Sequence, residues 1–310
     1  MALRFTLRQL EYFVAVGKCG SIALAAAKVN VSSPSISAAI SQLEAEFGLQ
    51  LFVRRHALGL SLTQAGRQFL ERAERILAEA TALNTLANDI SGHVRGPLSI
   101  GCLLTFAQLM VPMLRRKFEE RYREVQVRQH ELDQHEIFAK LRGAEIDVAL
   151  TYDLEIPPDL TFIPLVELPP FALLAQSHPL AEQSQVSVAE LAKHPMVLLD
   201  LPNSRDYFLQ LFAKINARPH IAERTRDMAV MRSLVANGFG YSIANVRPLS
   251  DLAPDGLKLC FVPLAGEVQP LRMGLAMAEG AQNVLTVRAF VDHCRALISA
   301  DSVPGMRMGG

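Results

Sequence analysis

Small polar residues gather in one short stretch of the chain, at a spacing that suits hydrogen bonds to the edges of nucleic-acid bases. The stretch opens with Ser33, Pro34, Ser35 and Ser37 and extends to Gln42 with no acidic residue between them. Serine hydroxyls and the glutamine amide can both donate and accept hydrogen bonds. Presented on one face of a helix, such groups suit insertion into the DNA major groove. We therefore take these five residues as candidate DNA-binding residues.

The same stretch has the pattern of a helix that begins beside a proline. A serine before Pro34 can cap free backbone N–H groups, and either Ser32 or Ser33 fits this role. Apolar residues then recur at helical steps and define one buried face, namely Ile36, Ile40, Leu43 and Phe47. With a helix predicted at 22–29 and a break at 30–32, the pattern indicates a helix-turn-helix. An ordinary helical hairpin in a core is the alternative.

The flanking segments complete a small N-terminal domain. A helix predicted at 7–19 supplies a third wall, and short extended runs on either side of 56–59 are typical of a hairpin. Beside a helix-turn-helix, such a hairpin is a wing. Arg54 and Arg55 at its base would contact phosphates, although a solvated surface pair is the alternative. Thr63, which follows the wing, is a further candidate DNA contact.

Charge gives a local signal rather than a global one. The formal net charge of the 310-residue chain is zero, so the whole protein shows no electrostatic sign of a nucleic-acid partner. Residues 1–66 differ, because their six basic side chains outnumber three acidic ones and leave a charge of +3. This excess is modest, but it has the sign that phosphate contacts need.

A long helical pattern follows the wing, and its apolar residues recur as a heptad seam. The seam comprises Phe69, Ala73, Ile76, Ala80, Leu83, Ala87 and Ile90. A long helix with one narrow apolar seam needs a partner helix. We favour self-association into a two-fold dimer, which would pair two helix-turn-helix units on a two-part DNA site. Packing against the chain's own body is the alternative.

Beyond Gly92, Gly96 and Pro97 the pattern changes to short apolar runs that alternate with helices. Strands are predicted at 98–101, 125–127, 146–150, 162–165, 171–175, 196–199, 241–244, 257–263 and 271–276. Helices are predicted at 106–122, 135–142, 188–193, 207–216, 228–237 and 284–299. This alternation favours βαβ units, a largely parallel sheet and an α/β fold class, with a frayed tail over 301–310.

The residue types that enzymes and metal sites need are scattered along the chain. Its four cysteines lie far apart, with no CxxC pair and no Cys/His cluster at metal-ligand spacing. We find no nucleophile–base–acid set and no phosphate-binding glycine loop. We therefore assign no catalytic residue, metal or cofactor and expect a protein that is not an enzyme. Free thiols favour a reducing cytoplasm, and neither a signal peptide nor a membrane span is evident.

Three N-terminal segments are specific enough to compare with known families, namely LRQLEYFVAV, SIALAAAKVNVSSPSISAAISQLEAEFGLQLFVRR and LSLTQAG. In order and spacing they resemble the winged helix-turn-helix of the LysR-type transcriptional regulators. Weaker similarity follows in LSIGCLLTFAQLMVPMLRRKFEERYREVQV, EIDVALT, AQSHPLA and NGFGYSIA. The resemblance covers about residues 7–297.

The resemblance implies an α/β protein with an N-terminal all-α winged helix-turn-helix, a linker helix and a two-lobed effector domain of periplasmic-binding-protein type. The expected boundaries are 1–63 for the DNA-binding domain, 64–91 for the linker and dimerisation helix, and 97–300 for the effector domain. Its first lobe would comprise 97–168 and 272–300, and its second 169–271. The implied partners are promoter DNA, a small-molecule effector and a second copy through the linker helix. Tetramers and a contact with RNA polymerase fit this class, and no membrane partner is implied.

Ligands of such sheets lie beyond the carboxyl ends of strands, which suggests several effector-binding residues. The candidates are Leu103, Leu104, Thr105, Thr151, Asn203, Ser204, Arg205 and Asn245. Arg205 offers bidentate geometry for a carboxylate, although it could instead pair with Asp200 or Asp206. The hydroxyl residues at helix starts could be caps.

Two departures from the family pattern matter for specificity. Ala38 and Ala39 stand where the family often has longer polar side chains, so base contacts should concentrate at the helix start and Gln42, with shape readout by the wing. The apolar entrance around Leu104 favours an effector with a hydrophobic part beside a carboxylate. A solute-binding protein with the same two-lobed fold is the alternative function. A redox sensor of this family is disfavoured, because Cys260 lies in an apolar strand.

Overall fold

The computed structural model describes residues 4–55 and 59–308, and at 54, 55, 59, 78, 81, 82 and 84–91 it describes the backbone alone. The chain divides into two compact units, Met1–Ile90 and Ser91–Gly310. None of the helices in the described ranges combines the length and the hydropathy that a membrane crossing requires.

Three short helices with well-formed ends build the first unit. They are α1 (Leu7–Cys19), α2 (Ile22–Val29) and α3 (Ser33–Phe47). Each begins after a hydroxyl residue whose side chain accepts a backbone N–H, and these caps are Thr6, Ser21 and Ser32. Each ends at a residue with left-handed backbone, namely Gly20, Asn30 and Gly48. The predicted bounds of α1 and α2 are confirmed.

An antiparallel hairpin and a long helix complete this unit. Strand β1 (Phe52–Arg55) pairs with β2 (Gly59–Leu62), as predicted for the wing, while the turn at 56–58 lies outside the described residues. Helix α4 (Gln64–Ser91) follows. Its first turn lies so close to β1 that a Cβ on Gly66 would overlap the carbonyl oxygen of Leu51. Only glycine therefore permits this approach.

The apolar seam of α4 divides into two parts. Ala73 is buried, and the Phe69 ring meets the Phe13 ring edge-on with centroids 5.2 Å apart, so the first turns pack on the unit's own core. By contrast, Ile76 and Leu83 are 41% and 66% exposed. The alternative of packing on the chain's own body thus holds for the first turns. Farther along, apolar side chains stay uncovered in the single chain, and the last two seam side chains lie outside the described part.

Ten strands and seven helices are described in the second unit. The strands are β3 (Gly96–Leu103), β4 (Val125–Leu132), β5 (Val148–Tyr152), β6 (Leu160–Leu168), β7 (Phe171–Ala175), β8 (Pro195–Leu199), β9 (His220–Thr225), β10 (Ser242–Ala244), β11 (Leu259–Pro263) and β12 (Leu271–Ala278). The helices are α5 (Leu104–Leu109), α6 (Val111–Arg121), α7 (Gln134–Arg142), α8 (Val188–Leu191), α9 (Ser204–Ala213), α10 (Met228–Ala236) and α11 (Leu285–Leu297).

These strands form a large sheet and two smaller ones. The large sheet has the order β4-β3-β5-β12-β6, in which β3 is parallel to β4 and β5 whereas β12 is antiparallel to both of its neighbours. A second sheet, β10-β7-β11, is antiparallel throughout, and β8 pairs in parallel with β9. The prediction of a largely parallel sheet is therefore wrong for the β10-β7-β11 sheet and for the pairing of β12 in the large sheet. The chain leaves the large sheet after β6 and returns as β12, which enters in the opposite direction.

Two elements differ from the prediction. The single helix expected at 106–122 is two helices, because Met110 leaves helical geometry with φ −121° and Pro112 occupies the first turn of α6. Strand β9 lies where no strand is predicted. Its residues alternate between exposed and half-buried and contain no buried apolar run.

The end of the chain is packed rather than frayed. Val303 and Met306 are 3% and 5% exposed and belong to the core beside the large sheet. The backbone N–H of Arg307 donates to the carbonyl of Arg247 at 2.8 Å. The frayed tail predicted for 301–310 is therefore wrong over the residues described, because two apolar side chains anchor it. The last two residues lie outside the described part.

Candidate functional sites

Helix α3 presents a small polar surface. Ser32 rather than Ser33 is its cap, since the backbone N–H of Ser35 donates to Ser32 Oγ at 3.3 Å. The exposed residues in its first three turns are Ser33, Pro34, Ser35, Ala38, Ser41 and Gln42, whereas Ser37 is half-buried. The predicted buried face is confirmed at Ile36, Ile40 and Leu43. Phe47 differs, because it stays 39% exposed while its ring meets Phe69.

Gln42 is held by the first helix. Gln9 Nε2 donates to Gln42 Oε1 at 2.7 Å, and Gln9 Oε1 in turn accepts the backbone N–H of Thr6 at 2.8 Å. The carbonyl end of Gln42 is thus occupied inside the unit. Its amide NH2 group has no acceptor among the described residues, so this end is available to a base or phosphate.

The structure describes the side chain of Thr63 but not those of the two candidate wing arginines. The backbone positions of Arg54 and Arg55 lie in β1, but their side chains lie outside the described part of the chain. The hydroxyl of Thr63 donates to the carbonyl of Gln50 at 2.7 Å and accepts the backbone N–H of Gly66 at 2.8 Å. Thr63 therefore has an intramolecular role at the start of α4.

The second unit contains a cavity of about 300 Å³ between its sheets. It lies at the carboxyl ends of β3, β4 and β5 on one side and of β8 and β10 on the other. Five predicted effector residues line it, namely Leu103, Leu104, Thr105, Ser204 and Asn245. Three do not: Thr151, Asn203 and Arg205.

Thr151 lies inside β5, because this strand continues to Tyr152 instead of ending at residue 150. It is fully buried, and its hydroxyl donates to Gln134 Oε1 at 2.6 Å. Gln134 lines the cavity and donates through Nε2 to the carbonyls of Tyr152 and Leu154, both at 3.2 Å. Thr151 is therefore a positioning residue for Gln134 rather than a residue of the cavity wall.

The pairing alternative for Arg205 is confirmed. Its guanidinium lies 2.8 Å from Asp206 Oδ1 and 3.2 Å from Asp200 Oδ1, and these contacts hold the pKa of Asp206 below its ordinary value. The amide of Asn203 donates to Glu155 Oε2 at 2.8 Å. Both side chains are engaged away from the cavity, so the direct effector contacts predicted for them are not supported by the geometry.

Several polar groups of the cavity are not predicted from the sequence. Asp133 and Glu136 form a capping box at the start of α7, where each carboxylate accepts the other residue's backbone N–H at 2.9 Å. Their D-x-x-E spacing is a signal that could have located them. Glu131 and Arg226 also line the cavity. Arg226 is exposed and has no ion pair within the described residues, which makes it the available cation for an anionic ligand.

The rest of the wall is mostly apolar, with Leu, Ile, Val, Met and Phe side chains from both sides. Burial raises the pKa of Tyr152, so its phenol stays protonated. The described residues include no group of three His, Cys, Asp or Glu side chains that could hold a metal ion. Burial also raises the pKa of the Cys102 thiol to about 12, which keeps it unreactive. The arrangement suits reversible binding of a partly apolar molecule.

Both units match models of one protein family. Residues 7–67 match "Bacterial regulatory helix-turn-helix protein, lysR family", and residues 91–299 match "LysR substrate binding domain". The chain belongs to the LysR family. The resemblance and the fold class expected from the sequence are thereby confirmed. The helix-turn-helix match favours a regulator over the solute-binding alternative.

Relatives of known sequence and structure agree with this membership. The uncharacterized HTH-type transcriptional regulator YvbU of Bacillus subtilis is 27% identical over 300 residues, which is 96% of this chain and 100% of that protein. The DNA-binding transcriptional dual regulator OxyR of Escherichia coli is 26% identical over 238 residues, covering 76% and 78% of the two chains. The crystal structure of HinK, a LysR family regulator from Pseudomonas aeruginosa, is 36% identical with a TM-score of 0.65 and covers 95% and 99%.

The LysR-family chain is thus a transcriptional regulator with a DNA-binding helix-turn-helix and an effector-binding domain. In the first unit, α2 and α3 supply the helix-turn-helix, and the second unit supplies the cavity. The predicted function of a ligand-responsive regulator is confirmed at the level of this family.

Proposed function

We propose that this LysR-family regulator responds to a small effector that has an apolar body and one anionic group and binds in the 300 Å³ cavity. The observation that carries the proposal is the guanidinium of Arg226, which lines the mostly apolar cavity and has no ion pair within the described residues, although three carboxylates also line this cavity. An anion at Arg226 would leave the apolar part against Leu103 and Leu104. Because desolvated charge-assisted hydrogen bonds are strong, the guanidinium would fix the effector's orientation.

The neutral hydrogen-bonding side chains that line this cavity include Thr105, Gln134, Ser204 and Asn245. Thr151 acts through Gln134, whose amide it holds. Arg205 and Asn203 act outside the cavity in this proposal. Effector binding between the two sheets would draw them together and change the geometry of DNA binding.

For DNA, we propose that the exposed start of α3 and the free amide of Gln42 contact bases, with Ser37 at the edge of this surface. The proposed contacts are Ser33, Pro34, Ser35, Ser37 and Gln42, with Arg54 and Arg55 beside phosphates. Thr63 is not among them, because its hydroxyl donates to the carbonyl of Gln50. The exposed Ile76 and Leu83 side chains of α4 support a homodimer through this helix, and a tetramer would follow from a further contact between effector domains.

We assign one role to each expected domain: residues 1–63 bind DNA, 64–91 form the dimer and 97–300 bind the effector. The first lobe of the effector domain comprises 97–168 and 272–300, and the second comprises 169–271. In this role the protein acts by binding rather than by catalysis. Chromosomal DNA as the target would place its action in the cytoplasm, where RNA polymerase is a further partner.

The proposed DNA contacts are tested by measuring how the protein binds DNA fragments from upstream of its own gene and of neighbouring genes. Fluorescence anisotropy and footprinting provide the measurements. Replacing both Arg54 and Arg55 by alanine should weaken binding to all sequences alike and reduce the salt dependence. Gln42→Ala should instead change the preference among sequences. Binding that is neither selective nor salt-sensitive would contradict the proposal.

The effector part is tested by a thermal-shift screen of small aliphatic and aromatic carboxylates. Arg226→Gln should abolish the shift caused by a hit. Arg205→Gln is the matched control, because it removes the same charge from a residue that pairs with Asp200 and Asp206 outside the cavity. If Arg205→Gln loses the thermal shift and Arg226→Gln keeps it, the anion binds at Arg205 instead.

A further inference from the structure

A second cavity, of about 130 Å³, lies on the other side of Asn245 from the effector cavity. Its walls come from the Pro169-Pro170 connection between β6 and β7, from the chain after β10, from β11 and from the packed tail. We call it the hinge cavity, because the β6–β7 connection is one of the two links between the sheets of the unit. Asn245 lines both cavities.

Two polar atoms at the hinge cavity lack hydrogen-bond partners. Asn245 is only 6% exposed, and its Nδ2 donates to the carbonyl of Leu168 at 2.7 Å, whereas its Oδ1 has no donor among the described residues. Arg247 Nε is likewise buried without an acceptor in the described part of the chain. Buried polar atoms are normally paired, so an orphan acceptor beside an orphan donor marks a place for a complementary molecule.

The charges around the hinge cavity favour an anion. Arg247 Nη2 and Arg307 Nη1 share the single carboxylate of Asp251, at 3.4 Å and 3.1 Å. Arg232, which is 6% exposed, lies over the Phe261 ring at 5.6 Å and donates only to backbone carbonyls. Two guanidinium groups of the cavity wall thus share one carboxylate, and Arg232, which does not line the cavity, adds a third positive charge against the Phe261 ring. An anion would offset this excess of positive charge.

The remaining wall is apolar and small. The rings of Phe171 and Phe261 lie 5.4 Å apart, and Arg247 lies over Phe261 at 4.6 Å. Pro169, Pro170 and Met306 complete this wall. A cavity of 130 Å³ with such walls has room for a short branched chain rather than a large ring system.

We propose that the hinge cavity is a second ligand site for a short branched 2-hydroxycarboxylate. The carboxylate would accept from Arg247 Nε and pair with Arg307, the hydroxyl would donate to Asn245 Oδ1, and the branched chain would lie against Phe261. This site shares Asn245 with the effector cavity but has its own cations, Arg247 and Arg307, so it does not depend on the anion site proposed at Arg226. A ligand bound there would contact the packed tail, the β6–β7 connection and the chain after β10 at the same time.

The probe for this site is 2-hydroxyisovalerate, titrated into the full-length chain and soaked into its crystals. We expect saturable binding, with the molecule located in the hinge cavity. 2-Hydroxyisovaleramide, in which an amide replaces the carboxylate and removes the charge and one acceptor oxygen, should bind at least about tenfold more weakly. Isovalerate, which lacks only the hydroxyl, should bind about threefold to tenfold more weakly, as expected for one hydrogen bond.

Two matched variants separate this site from the effector cavity. Arg307→Gln should weaken binding of 2-hydroxyisovalerate about threefold to tenfold, since the side chain is half-exposed and its backbone contact is kept. Arg226→Gln should leave that binding unchanged. The proposal is overturned if the probe shows no saturable binding, which would mean that the cavity holds only water. It is also overturned if Arg226→Gln alone removes all binding or if the probe is found in the effector cavity and not in the hinge cavity.

Discussion

Asn203 and Glu155 are joined across the cleft of the second unit, where Asn203 Nδ2 donates to Glu155 Oε2 at 2.8 Å. Glu155 follows β5 of the large sheet, and Asn203 precedes α9 on the other side, so this hydrogen bond links the two walls of the effector cavity. Both residues have positive φ, 50° and 64°. Such backbone costs a residue with a Cβ roughly 1–2 kcal/mol. We infer that the contact restrains opening of the cleft.

Replacing Asn203 by aspartate tests this restraint, because it sets a carboxylate against Glu155 and turns attraction into repulsion. Amide hydrogen exchange around residues 155 and 203 should accelerate about threefold to tenfold, as expected for the loss of about 1 kcal/mol. Asn203→Gly keeps the positive φ without the amide and should give an intermediate rate. Equal rates in all three proteins would show that the contact restrains nothing.

The bond between Gln9 and Gln42 predicts an indirect effect on DNA recognition. Gln9→Ala should free Gln42 and reduce discrimination between preferred and mismatched sites by roughly threefold to tenfold, in line with one hydrogen bond. Sites selected by the wild-type protein from a random DNA pool provide the measurement. Ser21→Ala is the control, since it removes the cap of α2 without touching Gln9 and should lower stability without altering preference. Unchanged discrimination in Gln9→Ala would remove Gln42 from base recognition.

The packed tail depends on a close approach at Gly305. Its φ is +74°, and a Cβ there would overlap the carbonyl oxygen of Leu109. Gly280 has nearly the same φ, +78°, but its nearest neighbour would be 3.6 Å away. Alanine at Gly280 should therefore cost roughly 1–2 kcal/mol for backbone strain alone, and alanine at Gly305 should cost at least about 1 kcal/mol more. Urea unfolding measures both costs, and equal values would mean that the tail is not tightly packed.

His293 should make stability fall at mildly acidic pH. Burial lowers the pKa of His293 below 6.5. The hydrogen bond to the Leu114 carbonyl raises this pKa in part, whereas the nearby charges of Arg121 and Lys117 lower it further. Below about pH 6.5 the unfolded chain therefore binds the proton more readily, so the free energy of unfolding decreases as pH falls. His178 contributes with the same sign, because burial also lowers its pKa.

His293→Gln keeps a donor for the Leu114 carbonyl but does not titrate. Urea midpoints at about pH 7.5 and about pH 5.5 should therefore differ less in this variant than in the wild type. A difference as large as that of the wild type would show that His293 is not the source of the dependence.

Local signals explain which helices could be predicted. The bounds of α1 and α2 follow from a hydroxyl cap before and a left-handed residue after each helix, and both signals lie within the sequence of the helix itself. The break at Met110 was also signalled, because Pro112 favours a helix start. The direction of β12 was not, since it depends on where the chain returns after leaving the large sheet.

The residues of the effector cavity also divide into those that could be predicted from the sequence and those that could not. Thr105 and Asn245 follow apolar strands that are visible in the sequence, so their place at the cavity could be predicted. Arg226 could not, because it follows β9, a strand with no apolar run, and an unrecognised strand hides the residue at its end. The predicted strand ends at residue 150 and leaves Thr151 beyond it, whereas Thr151 and Tyr152 are both buried in β5. The pairing of Arg205 with Asp200 and Asp206 is one of two alternatives that the sequence leaves open, because the choice between these partners and a ligand depends on three-dimensional contacts.

The position of β12 between β5 and β6 has a consequence for protein synthesis. On the ribosome, residues 4–90 emerge as a complete unit, and domains generally fold as they appear. The large sheet cannot close until residues 271–278 have been made, since β5 and β6 are joined only through β12. A chain that terminates anywhere between 100 and 270 would therefore keep the helix-turn-helix but lack a finished cavity. Such a nonsense fragment would compete for operator sites while being unable to respond to any effector.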